Sequence, residues 1–458
     1  MIINEKDNVE IRADGHKYAR RDIAEGENVI KYGMPIGHAT CAIKKGEHVH
    51  VHNVKTNLGE VLEYRYEPEF SDVARRPAPM MMAYRHPDGR VGIRNDIWVV
   101  PLVGCVNRLA ERLAQACGGL ALTHPYGCSQ MGRDHETTAN MLAQFCRHPN
   151  AGGVLVVSLG CENNTLESFK ARLGLAPEDA DGAKIGLNLR FLKAQDPGDE
   201  YEKGLARIAE LDAARPKERV PVPVSELVVG LKCGGSDGFS GLTANPLVGR
   251  FSDWLAARGG STVLTEVPEM FGAETLLMKR CRTRRVFDKC VEMINGFKEY
   301  YASHHQVCYE NPSPGNKAGG ITTLEDKSLG CVQKGGSAPV EDVLLYGERV
   351  KAHGLSLMTG PGNDLVAATV LAAAGAHLIL FTTGRGTPFG CVVPTMKVAS
   401  NDRLAAAKPN WIDWNAMSCP DVEEFAAKVM RVASGEELAK NEIYGAQGIA
   451  IFKDGVTL

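Results

Sequence analysis

One stretch of the sequence decides the fold: GVLVVSLGCENN, residues 153–164. Its apolar first half has the length of a buried strand, a glycine ends the run, and an amphipathic helix is predicted over 165–173. The same order of strand and then helix recurs at 97–117, 120–147, 184–213 and 227–258. Such alternation predicts parallel strands that are joined by right-handed helical crossovers, and therefore an α/β fold.

The domain boundaries are predicted from the residue at which this alternation begins and from its one break. Residues 1–70 contain short β-rich pieces between glycine turns, which predicts a small β-rich domain. A charged, proline-bearing segment predicts a linker over 71–96. Two α/β domains with mainly parallel sheets are expected at 97–223 and 224–458. The second contains a Gly-, Pro- and Lys-rich loop over 309–336, and a structureless segment of that length is usually functional.

Composition excludes several classes of partner. The chain has 458 residues, and 52 Lys and Arg balance 55 Asp and Glu, so the formal charge of -3 disfavours nucleic acid as the main partner. The charged N-terminus lacks the apolar stretch of a secretory signal. The longest apolar run, 365–381, is interrupted by Gly375 and predicts a helix followed by a strand, not a membrane span. We therefore expect a cytoplasmic protein without a membrane partner, whose 13 cysteines are thiols.

Three cysteines follow predicted strands. Open α/β sheets bind ligands beyond the carboxyl ends of their strands, and Cys128, Cys161 and Cys233 occupy such positions, each beside a glycine. If they share one sheet edge, they are soft ligands for iron, either as a single ion or as an iron–sulfur cluster. The alternative is that they are simply packed, because no Cys-x-x-Cys pair fixes a ligand geometry. Cys331, in the long loop, is a weaker fourth candidate.

Histidines form a second cluster of candidates. On a strand, alternation places His48, His50 and His52 on one face with neighbours about 7 Å apart. Two imidazoles are then within reach of one cation or of an anionic substrate. The alternative is a hydrated strand face that happens to be rich in histidine.

Two glycine-containing loops each offer one cation among backbone N–H groups. Lys317 lies in the loop 311–320 and Arg385 in the turn 384–388, and each suits a carboxylate or a phosphate, although each is also compatible with a solvated surface charge. The glycine spacing of the turn is not a dinucleotide fingerprint, and neither a P-loop nor a nucleophile elbow occurs. The sequence therefore gives little support for a nicotinamide-dependent enzyme, a P-loop hydrolase or an α/β-hydrolase.

Several longer motifs resemble one known family. They are HPYGCSQ (124–130), LGCENN (159–164), CGGSDG (233–238), TEVPEMFGAE (265–274), PGNKAGG (314–320), TGRGTP (383–388) and the C-terminal IFKDGVTL (451–458). These motifs resemble the altronate/galactarate dehydratase family, and the resemblance covers nearly the whole chain. The first seventy residues resemble the small SAF domain that opens members of this family, through the strings GHK (15–17) and HVHN (50–53).

The resemblance implies a hydro-lyase. It implies removal of water from D-altronate to give 2-dehydro-3-deoxy-D-gluconate, in hexuronate breakdown in a bacterial cytoplasm. Ferrous iron and reducing conditions are implied too, with Mn2+ in place of iron or an iron–sulfur cluster on the three cysteines as alternatives. Galactarate dehydratase and sulfolactate sulfo-lyase are the alternatives within the family, and a sugar-acid sensor is the alternative from another class. A homo-oligomer is left open.

The chemistry of such a dehydration indicates which residue types it needs. The proton at C2 is weakly acidic beside a carboxylate, so a cation must take up the second negative charge, and a group that titrates near neutral pH suits the proton transfers. We expect the site where the histidines of the small domain face the strand ends. The candidate metal ligands are His16, His50, His52, Cys128, Cys161 and Cys233. The candidate catalytic residues are His16, His52, Lys317, Arg385, Glu266 and Asp326, with Glu325 as a further base. The candidate substrate ligands are Lys317, Arg385, Asn316 and Thr387.

Overall fold

The computed structural model describes residues 1–58, 63–307 and 310–455. Cys308 and the last three residues of the C-terminal motif lie outside the described residues. Residues 1–58 form a β-rich N-terminal domain with two three-stranded antiparallel sheets, ordered β1-β2-β5 and β3-β4-β6. The strands are β1 (Val9–Ile11), β2 (Lys17–Ala19), β3 (Asn28–Lys31), β4 (Met34–Ala39), β5 (His48–Val49) and β6 (Val54–Lys55). The predicted β-rich domain is confirmed.

The segment 71–96, predicted as a linker, contains two strands. β7 (Met80–Arg85) pairs with β8 (Val91–Gly92) on one side and with β13 (Val220–Pro223) on the other, in an antiparallel sheet ordered β13-β7-β8. Met81 is buried and its neighbour Met82 is exposed, a period-two pattern that the surrounding prolines obscure in the sequence. Pro221 and Pro223 lack an N–H group, which is tolerated because β13 is an edge strand.

A four-stranded parallel sheet follows, ordered β10-β9-β11-β12. Its strands are β9 (Asp96–Pro101), β10 (Leu120–Ala121), β11 (Ala151–Ser158) and β12 (Leu189–Lys193), and its helices are α1 (Asn107–Cys117), α2 (Gly132–Cys146), α3 (Leu166–Leu173) and α4 (Glu200–Ala214). Every residue of β11 is buried, as its apolar run predicts. The strand order reverses between β9 and β11.

The largest sheet has seven parallel strands, ordered β16-β17-β15-β14-β18-β19-β20. They are β14 (Val228–Cys233), β15 (Ser261–Leu264), β16 (Val340–Leu344), β17 (Gly354–Met358), β18 (Leu378–Thr383), β19 (Thr395–Ala399) and β20 (Trp414–Asn415). Its order reverses between β14 and β18, and at such a switch point the connections diverge and open a crevice beyond the strand ends. The predicted α/β fold with mainly parallel sheets is confirmed.

Helices cover this sheet and extend past it. They are α5 (Ala244–Ala257), α6 (Glu274–Met278), α7 (Arg284–Ser303), α8 (Pro314–Ala318), α9 (Leu324–Cys331), α10 (Asp364–Ala373), α11 (Asp402–Ala407), α12 (Val422–Ser434) and α13 (Lys440–Tyr444). The apolar run 365–381 contains α10 followed by β18, as predicted. Among the described residues, no helix has both the length and the apolar character that crossing a bilayer requires.

The long loop predicted over 309–336 is partly helical. It contains α8 and α9, and every residue of α9 is buried. A helix that is buried on all sides has no amphipathic period, and the polar residues of α9 are matched by charges from elsewhere in the chain. For this reason the period-based prediction missed it.

Candidate active site

A cleft of about 620 Å³ lies at the switch point of the seven-stranded sheet. Asp237 lines it after β14, Arg385 after β18 and Asn401 after β19, while Asp14 approaches from the N-terminal domain. The cleft therefore occupies the position where open α/β sheets bind ligands, and the N-terminal domain forms one of its walls.

Asp237 fixes the loops that form the floor of this cleft. Its carboxylate accepts hydrogen bonds from the Ser400 hydroxyl and the Asn401 amide, both at 2.8 Å. A Cβ on Gly384 would lie 2.2 Å from the Asp237 Cγ, so only glycine lets the backbone after β18 pass so close to this carboxylate. The loops after β14, β18 and β19 are thus held as one rigid surface.

The N-terminal domain is bound to this surface through α8 and the turn after it. Lys17 Nζ donates to Gly320 O at 2.5 Å, and one His50 ring nitrogen lies 2.9 Å from Lys317 O. A Cβ on Gly238, in the loop after β14, would lie 1.9 Å from Gly15 O. The glycine-rich predicted loop therefore serves as the contact surface between the two domains.

The structure brings four histidines together in the N-terminal domain where it contacts α8, outside the residues that line the cleft. His48 Nε2 lies 3.3 Å from His16 Nδ1, and the ring centroids of His48 and His50 are 5.5 Å apart. His52 stacks on His48 with a centroid distance of 5.6 Å. The prediction of one strand over 48–52 is wrong beyond Val49, because the backbone turns there, but the turn still gathers the side chains. His48 was missed as a ligand candidate, although the alternation had placed it on the same face.

The donor set of this histidine cluster fits a divalent cation. Two nitrogens on one ion with metal–nitrogen bonds of about 2.1 Å lie roughly 3 Å apart, which agrees with the His16 and His48 nitrogens. Burial lowers the pKa of His48, and nearby His16 and His52 lower it further. Burial also lowers the pKa of His50, against the opposing effect of the Lys317 carbonyl. Both rings are therefore neutral at pH 7, which is the form that binds metals.

The predicted substrate ligands fall into two groups. Arg385 is exposed in the cleft and donates to Gly315 O at 3.1 Å, and Lys317 is half-buried on α8. The Asn316 amide is instead occupied, because it donates to Ser236 O at 2.9 Å and accepts from the backbone of Ser313. Its position contradicts direct substrate contact and makes it a positioning residue for α8.

Thr387 is also committed to the protein. Its hydroxyl accepts a hydrogen bond from Phe389 N at 3.2 Å, and its half-buried side chain is not part of the cleft wall among the described residues. The prediction that Thr387 binds substrate is not supported by this placement.

Behind the cleft lies a group of buried, mutually paired charges, which we call the buried ion-pair layer. Its members are Glu266, Glu269, Asp326, Lys17, Lys31, Lys232, Lys327 and Lys334. Glu266 accepts from Lys232 Nζ at 2.7 Å and from Lys334 Nζ at 3.0 Å, and 1% of its surface is exposed. Both carboxylate oxygens of Glu266 are paired with buried lysines and Glu266 does not line the cleft, so its role as a catalytic base stays a prediction.

Asp326 is likewise a structural residue. It lies 2.7 Å from Lys17 Nζ and 2.9 Å from Lys31 Nζ, and its side chain is 0% exposed. Although burial opposes ionisation, the two lysines hold the pKa of this carboxyl well below its usual range. These contacts support a structural role for Asp326, and its role as a base stays a prediction. Glu325 is used in the same way, since it accepts from Thr56 and Asn57 of the N-terminal domain.

Cys233 has a neighbour that the sequence only weakly suggested. Its Sγ lies 3.4 Å from Cys331 Sγ, and Glu269 Oε2 lies 3.1 Å and 3.2 Å from the two sulfurs. The hydrogen bond with Cys233 and burial raise the pKa of the Cys331 thiol. Among the described residues, these three are the group of potential metal ligands whose donor atoms all lie within 4.8 Å. Lys327 Nζ, 2.6 Å from Glu269, places a positive charge beside them.

Cys128 and Cys161 lie at the end of the other parallel sheet. Both are exposed, and each follows a strand of the four-stranded sheet, whereas Cys233 is the last residue of β14 in the seven-stranded sheet and is buried. The expectation that the three share one sheet edge is wrong, because strand alternation alone does not reveal that the strands belong to two separate sheets.

Comparison with known proteins gives one consistent result. Three family models match consecutive parts of the chain: an altronate/galactarate dehydratase SAF domain at 1–57, a D-galactarate dehydratase/altronate hydrolase second domain at 83–214, and a D-galactarate/altronate dehydratase C-terminal domain at 224–457. The chain is 52% identical to the altronate dehydratase of Bacillus subtilis (strain 168), over 98% of this chain and 94% of the relative. It is 51% identical to the altronate dehydratase of Escherichia coli (strain K12), over 97% and 92%. Identity to the galactarate dehydratase (L-threo-forming) of Escherichia coli (strain K12) is 31%, over 96% and 89%.

Proposed function

The chain belongs to the altronate/galactarate dehydratase family, and from this we propose that it converts D-altronate to 2-dehydro-3-deoxy-D-gluconate and water in hexuronate catabolism. The observation that carries this choice of substrate is the identity of 52% and 51% to two altronate dehydratases, against 31% to a galactarate dehydratase. A reducing bacterial cytoplasm is the compartment that suits the free thiols.

Arg385 is the residue that we assign to the substrate carboxylate. Its guanidinium is exposed in the cleft, and its contact with Gly315 O leaves other N–H groups facing the cavity. A planar guanidinium binds a carboxylate through two parallel hydrogen bonds and so fixes the orientation of C2. Lys317, on the neighbouring helix α8, adds a second positive charge near this position.

The two histidines of the cluster that would not hold a metal, His50 and His52, are assigned to the proton transfers. Removing the C2 proton requires an unprotonated base, and the lowered pKa of His50 supports this state at pH 7. The protonated ring then returns a proton to the C3 hydroxyl, which leaves as water. The resulting enol becomes the 2-oxo acid by tautomerisation, so the protons balance over the reaction.

A divalent cation is part of this proposal, with Fe2+ as the metal and Mn2+ in its place as the alternative. His16 and His48 are the residues that would hold it, since their nitrogens have the required separation. Bound there, it would supply positive charge to the carboxylate as C2 loses its proton. His50 is bonded to the Lys317 carbonyl, which orients its ring toward the domain contact.

Parallel assays on three substrates test this function. The full-length protein is incubated with Fe2+ under anaerobic, reducing conditions with altronate, galactarate or sulfolactate, and 2-oxo acid formation is measured. We expect altronate to give the highest kcat/KM, and an Arg385→Ala variant to lose that activity. Turnover of galactarate or sulfolactate in preference to altronate would reassign the substrate. Saturable binding of altronate without turnover would indicate a sensor instead of an enzyme.

A further inference from the structure

Three exposed cysteines outside the cleft share one sheet edge and one local pattern. Cys105, Cys128 and Cys161 each follow a glycine, and they come after β9, β10 and β11 of the four-stranded sheet. All three are exposed, and among the described cysteines the other exposed one is Cys41, in the N-terminal domain. Three accessible thiols at neighbouring strand ends are unusual, because cysteine is usually buried, and this arrangement indicates a ligand site.

The strand order makes this edge a position for ligand binding. The order β10-β9-β11-β12 reverses between β9 and β11, so the connections after these two strands diverge. Ligands of open α/β sheets bind in the crevice beyond the carboxyl ends of strands at such a reversal. Cys105 and Cys161 follow the two strands that flank it, and Cys128 follows the next strand.

Hydrogen bonds join the three cysteine-bearing loops to one another. Gly104 N donates to Tyr126 O at 2.9 Å, and Asn164 N donates to Gly127 O at 3.0 Å. The loop after β10 is therefore bonded on one side to the loop after β9 and on the other side to the loop after β11. The three thiols are carried by one connected piece of backbone.

The glycines in this pattern are required where they stand. A Cβ on Gly127 would lie 1.9 Å from Leu102 O, and Gly160 has a φ of +128°, a conformation that other residues rarely adopt. The amide of Gln195 also lies 3.7 Å from Cys161 Sγ and donates toward it. Hydrogen bonds to a ligand sulfur are a feature of iron–sulfur sites, where they tune the cluster.

The separation of the three sulfurs disfavours a single ion as their common partner. Two sulfurs on one ion with bonds of about 2.3 Å lie at most about 4.6 Å apart. The three thiols belong to the described part of the chain, and their sulfurs do not all lie within 4.8 Å of one another. In an iron–sulfur cluster each cysteine binds a different iron, so the ligand sulfurs are farther apart.

We propose that Cys105, Cys128 and Cys161 bind a four-iron iron–sulfur cluster through three thiolates. One iron then has no cysteine ligand and is open to an oxygen ligand such as a hydroxyl or a carboxylate. This ligand set differs from the one expected from the sequence, because Cys105 replaces the buried Cys233. The proposal does not depend on the dehydratase assignment, since it concerns the edge of the other sheet.

Anaerobic reconstitution of the full-length protein with Fe2+ and sulfide tests the site. We expect about four sulfide per chain and about four iron in addition to the single Fe2+ proposed for His16 and His48, with the broad visible absorption of a cluster. Cys105→Ser, Cys128→Ser and Cys161→Ser should each lose most of this absorption and iron. Cys41→Ser and Cys233→Ser are the controls, one exposed and one buried, and should retain both.

A second measurement uses the unmodified chain, so it does not depend on how well a variant folds. In the reconstituted protein, Cys105, Cys128 and Cys161 should be protected from iodoacetamide while Cys41 is alkylated, as read by peptide mass spectrometry. The proposal is overturned if the wild type takes up no sulfide, if Cys105→Ser keeps the cluster, or if Cys233→Ser loses it as Cys128→Ser does.

Discussion

The ionisable side chains beyond the seven-stranded sheet form two layers that differ in how their charges are matched. In the buried ion-pair layer each carboxylate contacts lysines, as Glu266 does with Lys232 and Lys334. In the cleft, the Arg385 guanidinium is exposed and contacts one backbone carbonyl. A buried charge with its partner already in place contributes to the fold, whereas an accessible one with free donors is available to a substrate. Glu266 and Arg385 both follow strands of this sheet, so position alone does not separate the two kinds of charge.

The largest expected effect comes from breaking the buried layer at Asp326. Asp326→Asn leaves Lys17 and Lys31 buried without an anionic partner, and removing one member of a buried ion pair costs about 3–5 kcal/mol. Urea unfolding measures the loss, and kcat/KM of the folded fraction should stay within a few-fold of the wild type. Asp22→Asn is the matched control, because its pair with Lys44 is exposed and screened by solvent, and this variant should unfold close to the wild type. An inactive Asp326→Asn protein with wild-type stability would return Asp326 to the catalytic residues.

The second-largest expected effect comes from the cleft, where a substitution should lower activity and leave stability nearly unchanged. Arg385→Ala should lower kcat/KM by about 10²–10³-fold, as loss of a charge-stabilising donor does, while the free energy of unfolding changes by less than about 0.5 kcal/mol. Arg403→Ala is the matched control, since Arg403 also lines the cleft but lies beyond β19, away from the switch point. Equal losses in the two variants would mean that Arg385 contributes only to the general positive charge of the cleft.

This contrast also shows how much of the fold could be predicted from the sequence. The run at 153–158 and the periodic segment at 107–117 predicted β11 and α1 because strands and amphipathic helices leave local patterns. The pairing of Asp326 with two lysines could not be predicted because its partners are distant, 309 residues away for Lys17 and 295 for Lys31. No local pattern reveals such a pair.

The candidate site was predictable to a similar extent. The strand-end rule found Arg385, and the alternation in 48–52 found the histidines, because both follow from local sequence. The same rule grouped Cys233 with Cys128, since it identifies the ends of strands but not the sheet to which each strand belongs. Sheet order is set by packing between distant segments, and so only the structure separates the two edges.

The cleft and the buried ion-pair layer should also differ in their pH dependence, the first in activity and the second in stability. Burial lowers the pKa of His48 and His50 from 6.5. If activity requires neutral rings, kcat/KM should fall about tenfold for each unit by which the pH is lowered below a midpoint that itself lies below pH 6.5. Burial opposes ionisation of Glu269, but Lys327, Lys334 and Lys232 lower its pKa to about 2. Because this folded-state value lies below the unfolded value of 4.5, the stabilisation by Glu269 is complete above pH 4.5 and is lost as pH falls toward 2.

Activity profiles and urea unfolding in the same buffers check this prediction. Between pH 4.5 and 6.5, activity should decline while the contribution of Glu269 to stability stays constant, and Glu269→Gln should leave the acid limb of the activity profile where it is. An activity midpoint above pH 6.5 would contradict the assignment of neutral histidines.

The smallest expected effect concerns Asn316, which ties α8 to the loop after β14. Asn316→Ala removes the hydrogen bond that ties α8 to Ser236 O and should cost about 1–2 kcal/mol of stability. Because α8 carries Lys317 and Gly315, the carbonyl partner of Arg385, the variant should also raise KM for altronate by about 3–5-fold with little change in kcat. A residue that contacts the reacting atoms would instead lower kcat.

Asn150→Ala is the matched control for this variant. Asn150 is a buried asparagine that donates to His377 O at 2.8 Å and accepts from Ile93 N at 3.0 Å, far along the chain from the cleft-lining residues. It should lose similar stability with no change in KM. If both variants raise KM equally, the effect reflects loosening of the whole protein, and Asn316 has no special role in positioning the cleft. If Asn316→Ala alone changes KM, the rigid attachment of α8 to the strand end is what sets the affinity of the cleft.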